Sequence, residues 1–183
     1  MVEKNSVAPI VRRVAGQYSI PVTSGRGYCS LPPRHEMTQR FEASGKEKLI
    51  VLLLTDFDPD GEEIAASFAR SIRDDFLVDD IVPVKVALTT EQIRRFKLPP
   101  KMTAKKTSTN YEKFADRHGD NVFELEALKP QDLQTVLREA IESVVDRDTL
   151  NRDIAAEKTD AAYLAAKRKV ILKTVGDLAE GAD

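Results

Sequence analysis

The chain predicts an α/β fold built on a parallel sheet, and three observations carry that expectation. The first is Leu49 to Leu54, an uncharged apolar run without Gly or Pro that reads as a central strand covered on both faces. The second is the alternation of strand-like and helix-like segments over the first 145 residues, the order that a parallel sheet requires. The third is the abrupt end of the apolar run in Thr55-Asp56-Phe57-Asp58-Pro59-Asp60-Gly61, three carboxylates at alternate positions where open α/β sheets place their ligands.

The elements follow in order. Met1-Val2-Glu3 resembles the end of a strand, and Ser6 to Tyr18 carries Val7, Ile10, Val11 and Val14 at helical spacing. Ile20 to Thr23 is expected as a short strand, Ser24-Gly25-Arg26-Gly27 as a glycine loop, and Arg34 to Ala43 as a polar helix ended by Ser44-Gly45. The acidic strand spans 48–56, stopped by Pro59. A helix over 62–76 then places Ile64, Phe68, Ile72 and Phe76 on one face. Ile81 to Leu88 reads as a strand with Pro83 marking an edge or a late start, and Thr90 as the cap of a short helix over Glu91–Lys97. Residues 99–110 form a polar basic loop, Val122 to Leu128 returns as a strand, and Pro130 opens a helix running to Val145. From Arg147 to Leu178 the apolar positions Ala161, Leu164, Ile171, Val175 and Leu178 follow a heptad broken by Arg168, a helix suited either to its own domain or to a partner. The expected division is an α/β domain over 1–145 and a C-terminal helical extension over 146–183.

Composition narrows the function classes. A length of 183 residues with 42% hydrophobic and 32% charged residues fits one globular domain with an appendage. Residues 1–30 lack the apolar segment of a signal peptide and no run approaches membrane-spanning length, so a cytoplasmic protein without membrane partners is expected. The single Cys29 excludes an internal disulfide framework and a cysteine-rich zinc site. His35 and His118 stand far apart and form no metal-ligating pair. With a net charge of −2, contact with nucleic acid must be local, through Lys4, Arg26 and the Lys101, Lys105, Lys106 loop, or through metal ions that bridge carboxylates to phosphate.

Asp56 and Asp58 are two residues apart, so a strand projects both carboxylates to one side. Two such anions repel unless a cation lies between them, and a hard divalent ion such as Mg²⁺, with Mn²⁺ as an alternative, is the expected third party. Asp60 is either a further acid of the site or a charge favoured by the helix N-terminus. A calcium-binding EF-hand loop would match Asp56, Asp58, Asp60 and Gly61. It fails because Ser67 stands where a bidentate glutamate belongs and because a strand precedes the loop. A haloacid-dehalogenase-like phosphotransferase also has two Asp residues two apart after an apolar strand, but Pro59-Asp60 replaces the hydroxyl-bearing residue expected next.

Taken together, four stretches resemble the Toprim domain, in the branch of the topoisomerase VI A-subunit and the meiotic double-strand-break proteins. Val2-Glu3-Lys4 is similar to the end of that family's first strand. Ser24-Gly25-Arg26-Gly27-Tyr28-Cys29-Ser30-Leu31 resembles its Gly-Lys-Gly-Tyr-Pro segment, and Thr55 to Gly61 its Asp-x-Asp-Pro-x-Gly. Phe123 to Leu128 is a fainter echo of a later Glu-x-x-Ala-Leu strand. The resemblance covers about residues 1–130. It implies a Rossmann-like parallel sheet, Mg²⁺ binding, and cleavage or strand transfer on DNA, with RNA as an alternative substrate.

By that resemblance Glu3, Asp56 and Asp58 would be catalytic and would hold metal together with Asp60. Gly25 and Gly27 would let the loop carrying Arg26 approach a phosphate, and Lys4 would add positive charge beside them. The pattern departs from that branch in one respect. Its nucleophilic tyrosine comes from a separate winged-helix domain, and none of Tyr18, Tyr28, Tyr111 or Tyr163 has a matching context. The sequence therefore suggests part of a larger topoisomerase- or nuclease-like protein, partnered by an upstream winged-helix or ATPase domain and with a homodimer as a further candidate assembly. The alternative is a non-catalytic module that binds metal and nucleic acid.

Overall fold

The computed structural model describes residues 1–25, 29–100 and 102–180. Within them the chain divides into two units, Met1–Ser143 and Val144–Asp183. Arg26, Gly27 and Lys101, three of the residues expected to meet a phosphate, lie outside the described residues.

The first unit is α/β. Val2 forms parallel bridges on both sides, to Ser24 and to Leu54. The first helix, α1 (Ala8–Ala15), buries Ala8, Val11, Val14 and Ala15 and runs on into a 3₁₀ turn over Gly16–Tyr18. No strand forms over Ile20 to Thr23. The bridge to Val2 falls at Ser24, flanked by Val2 N–H donating to Thr23 O and Gly25 N–H donating to Val2 O, each at 2.9 Å. Helix α2 (Leu31–Ser44) ends at Gly45, whose φ of 63° is the left-handed conformation that glycine adopts without a Cβ penalty.

The apolar run folds as β1 (Leu49–Leu54) and is followed by α3 (Pro59–Asp74), which buries Ile64, Phe68 and Ile72. Val51, Leu53, Ile64, Phe68, Ile72 and Val78 form a buried core, against which Met37 and Phe41 of α2 pack. Burial of side chains this size contributes roughly 1.5–3 kcal/mol each and outweighs any single surface contact. β2 (Ile81–Ala87) pairs in parallel with β1, Leu49 opposite Ile81, with a register shift between Leu53 and Leu54. Pro83 stands exposed on β2, whose one strand partner among the described residues is β1, as an edge position allows.

Helix α4 (Thr90–Arg95) is capped by Thr89, one residue before the expected cap. The Thr89 hydroxyl accepts from Gln92 N–H and the Gln92 side chain returns to Thr89 N–H, both at 3.3 Å. The polar loop contains a short strand, β3 (Met102–Thr103), then α5 (Tyr111–His118) and β4 (Asn121–Val122), which pairs antiparallel with β3. Of the expected strand over Val122 to Leu128 only the start is formed, Val122 within β4. Phe123 makes an antiparallel bridge to Phe57, and the chain then closes into a 3₁₀ turn over Leu125–Ala127. Helix α6 (Pro130–Val144) buries Leu133, Val136, Leu137 and Ile141. The second unit is dominated by α7 (Arg147–Glu180), 34 residues long. No described helix is long and apolar enough to cross a membrane.

Candidate functional site

The end of β1 is where the fold converges. Glu3 N–H donates to Leu54 O at 2.9 Å, which sets Glu3 beside the residues that follow the strand. Its carboxylate then accepts Asp56 N–H through Oε2 at 3.0 Å, across a separation of 53 residues. Thr55 continues the pairing toward β2, donating to Ala87 O and accepting from Leu88 N–H, both at 2.8 Å. Asp56 is 5% exposed. Asp58, extended at φ −149°, caps α3 by accepting Gly61 N–H at 2.6 Å. Gly61 is required here: a Cβ would fall on the Asp56 carbonyl oxygen and stand 3.1 Å from Asp58 Oδ1.

Both oxygens of Asp56 are engaged. Oδ1 accepts Leu125 N–H at 2.8 Å, and Oδ2 faces Lys4 Nζ at 2.9 Å. Lys4 also meets Glu126 Oε2 at 2.9 Å and Glu124 Oε1 at 3.7 Å, and Ser6 donates its hydroxyl to Glu126 Oε1 at 2.7 Å. On the other flank, the half-buried Lys85 of β2 donates to the Asp56 carbonyl at 3.2 Å and pairs with Glu62, its ammonium 5.7 Å from the centre of the Phe57 ring.

Burial sets the proton affinities. It raises Glu3 above the usual carboxylate value of 4.5; the Asp56 N–H opposes the shift, and the charges of Asp56 and Asp58 add to it. Burial likewise raises Asp56 against the pull of Lys4 and the Leu125 N–H. On Lys4 burial acts downward, but its bonds to Asp56 and Glu126 prevail and hold it well above an ordinary lysine. Burial pulls both partners toward neutrality while the contact at 2.9 Å holds both charged. We take the pair as ionised at neutral pH, because Asp56 also keeps its backbone donor.

The sequence-predicted residues therefore separate. Glu3, Asp56 and Asp58 come together at the strand end. Asp60 is exposed, with Oδ1 accepting from Ser108 Oγ at 2.9 Å and Asn110 Nδ2 at 3.4 Å, and no hydrogen bond joins it to the other three. Lys4, expected to face a phosphate, neutralises Asp56 instead. Gly25 is buried, and a Cβ there would stand 3.0 Å from the Cβ of Cys29. Glu124, Glu126 and Lys85 were not foreseen. Glu124 and Glu126 show the same two-residue spacing as Asp56 and Asp58, a signal that was present in the sequence.

Among the described residues no three His, Cys, Asp or Glu side chains form a group placed to hold a metal ion. The expected cage of Glu3, Asp56, Asp58 and Asp60 is thus not preformed. The available donors are nonetheless hard oxygens: Glu3 Oε1 and Asp58 Oδ2 accept no hydrogen bond from the described residues. Mg²⁺ commonly takes one or two protein carboxylates and completes its shell with water and phosphate. In that restricted sense the donor set fits. No protein-family model, no curated protein and no solved structure matches this chain.

Proposed function

We propose that the first unit is a Toprim-like domain with a Rossmann-like sheet, acting on the phosphodiester backbone of DNA as part of a larger topoisomerase- or nuclease-like protein. The observation that carries this reading is the hydrogen bond between Asp56 N–H and Glu3, which brings an N-terminal glutamate to the Asp-x-Asp at a strand end. In this reading Glu3 and Asp58 would hold Mg²⁺ or Mn²⁺. The ion would supply charge neutralisation at the phosphodiester. Asp56, fixed by Leu125 N–H and Lys4, positions Glu3 through its own backbone N–H. Where Asp58 alone holds the ion, the open oxygen of Glu3, its proton affinity raised by burial, would instead carry the proton passed to a leaving oxygen.

One observation favours a second reading, a module that binds metal or nucleic acid without turnover: the Lys4 ammonium occupies the place at Asp56 that a catalytic cation would take. A haloacid-dehalogenase-like phosphotransferase is the weaker alternative, because it would need Asp56 as an accessible nucleophile, and that carboxylate is buried with both oxygens engaged.

Two measurements separate these readings. Millimolar Mg²⁺ is expected to raise the thermal midpoint, and Asp58→Asn to abolish the rise. A plasmid assay is expected to show slow nicking with Mn²⁺ or Mg²⁺ and no relaxation, with Glu3→Gln and Asp58→Asn inactive. A thermal shift without nicking supports the non-catalytic module. No shift at all overturns the metal site.

A further inference from the structure

Helix α7 leaves a row of apolar side chains uncovered: Leu164 is 64% exposed, Ile171 61% and Val175 58%. With the half-buried Leu150 and Ile154 and the exposed Ala161 they recur at steps of three and four residues, the a and d positions of a two-stranded coil. Two charges interrupt the row at the same spacing, Glu157 at a d position and Arg168 at an a position, both exposed. An apolar seam with one acid and one base is a pattern that selects both its partner and its direction.

We infer that α7 pairs with α7 of a second copy of this chain in an antiparallel two-stranded coil, with Glu157 of each copy facing Arg168 of the other. In an antiparallel coil an a residue packs against a d residue of its partner. Placing Glu157 opposite Arg168 leaves no free choice for the rest of the register. Ala161 then faces Leu164, small against large, while Ile154 faces Ile171 and Leu150 faces Val175. The same register sets Asp160 beside Lys167 of the other copy at the seam's edge, twice by symmetry. A parallel in-register pair would place Glu157 on Glu157 and Arg168 on Arg168, two like-charge layers that disfavour it. Nothing in this argument depends on the acidic site of the first unit.

The test is the mass of the full chain by sedimentation at tens of micromolar, with far-UV circular dichroism to check that each variant keeps its helix. Wild type is expected to be a dimer. Arg168→Glu puts two acids in each of two layers and is expected to weaken dimerisation by at least about tenfold. Combining Arg168→Glu with Glu157→Arg restores complementarity only in the antiparallel register, and the dimer should return. A monomeric wild type, a dimer indifferent to Arg168→Glu, or a double variant that stays dissociated would each overturn the pairing.

Discussion

The end of β1 and the middle of α7 both place side chains where elementary physical chemistry disfavours them, carboxylates crowded together in one and large apolar groups facing water in the other. At the strand end the chain supplies its own remedy. Lys4, brought alongside by the bridges of Val2, neutralises Asp56, and Leu125 N–H satisfies the second oxygen. Along α7 no such remedy is present: Tyr163, Leu164, Ile171 and Leu172 remain about 60% exposed. The difference shows where each region looks for its partner. The acidic end is largely closed upon itself and keeps two carboxylate oxygens open to a ligand, whereas the helix keeps a whole face open.

The sharpest way to break that comparison is to remove the internal cation. Lys4→Met leaves a nearly buried carboxylate without its counter-charge and is expected to destabilise the first unit by about 2 kcal/mol, less than a fully buried pair because Lys4 is partly exposed. Adding Asp56→Asn should recover part of that loss, since the orphaned charge is gone while Leu125 N–H keeps an acceptor. On α7, Tyr163→Ser lies off the seam and should change stability by no more than about 0.5 kcal/mol. Urea titrations of the three variants check the ranking. A Lys4→Met protein as stable as wild type would show that Asp56 is not held as an anion.

Much of this layout was legible in the sequence, for reasons that differ by element. β1 and α3 were readable because an uninterrupted apolar run and the helical spacing of Ile64, Phe68 and Ile72 are local signals that tertiary contacts reinforce, although the helix begins at Pro59, expected only to stop the strand, and not at Glu62. The segment from Val122 to Leu128 misled because Phe-Glu-Leu-Glu alternates as a strand does. There, Leu125 N–H is taken by the Asp56 side chain, 69 residues away, instead of by a ladder partner, and both glutamates turn toward Lys4. The acidic pair at 56 and 58 could be read as needing a cation; that the cation is an ammonium from the neighbour of Glu3 depends on a parallel bridge that no local pattern encodes.

Glu3 sharpens the comparison through pH. Its folded proton affinity is raised, so the stability it contributes is fully present below about pH 4.5 and is lost as pH rises through the raised value. Glu3→Gln removes that loss and can still accept Asp56 N–H. In chelator, the variant should match wild type near pH 4 and be the more stable of the two at pH 8. Thermal melts across that range check the sign. A variant less stable at pH 8 would mean that the Glu3 anion has a stabilising partner beyond those described.

A comparable effect concerns a buried polar group of the strand end that has no hydrogen-bond partner among the described residues. Thr55 is fully buried, and its Oγ1 makes no hydrogen bond among the described residues, although its backbone N–H and carbonyl are both paired with the segment ending β2. A buried hydroxyl without a partner costs free energy that a methyl group of the same shape does not. Thr55→Val keeps the β-branched fit of a strand residue and removes the unsatisfied oxygen. It should therefore stabilise the first unit by about 1 kcal/mol, with no change in the mass of the full chain if assembly resides in α7. A destabilised Thr55→Val protein would place a buried water on that hydroxyl, extending the closed network around Asp56 by one more member.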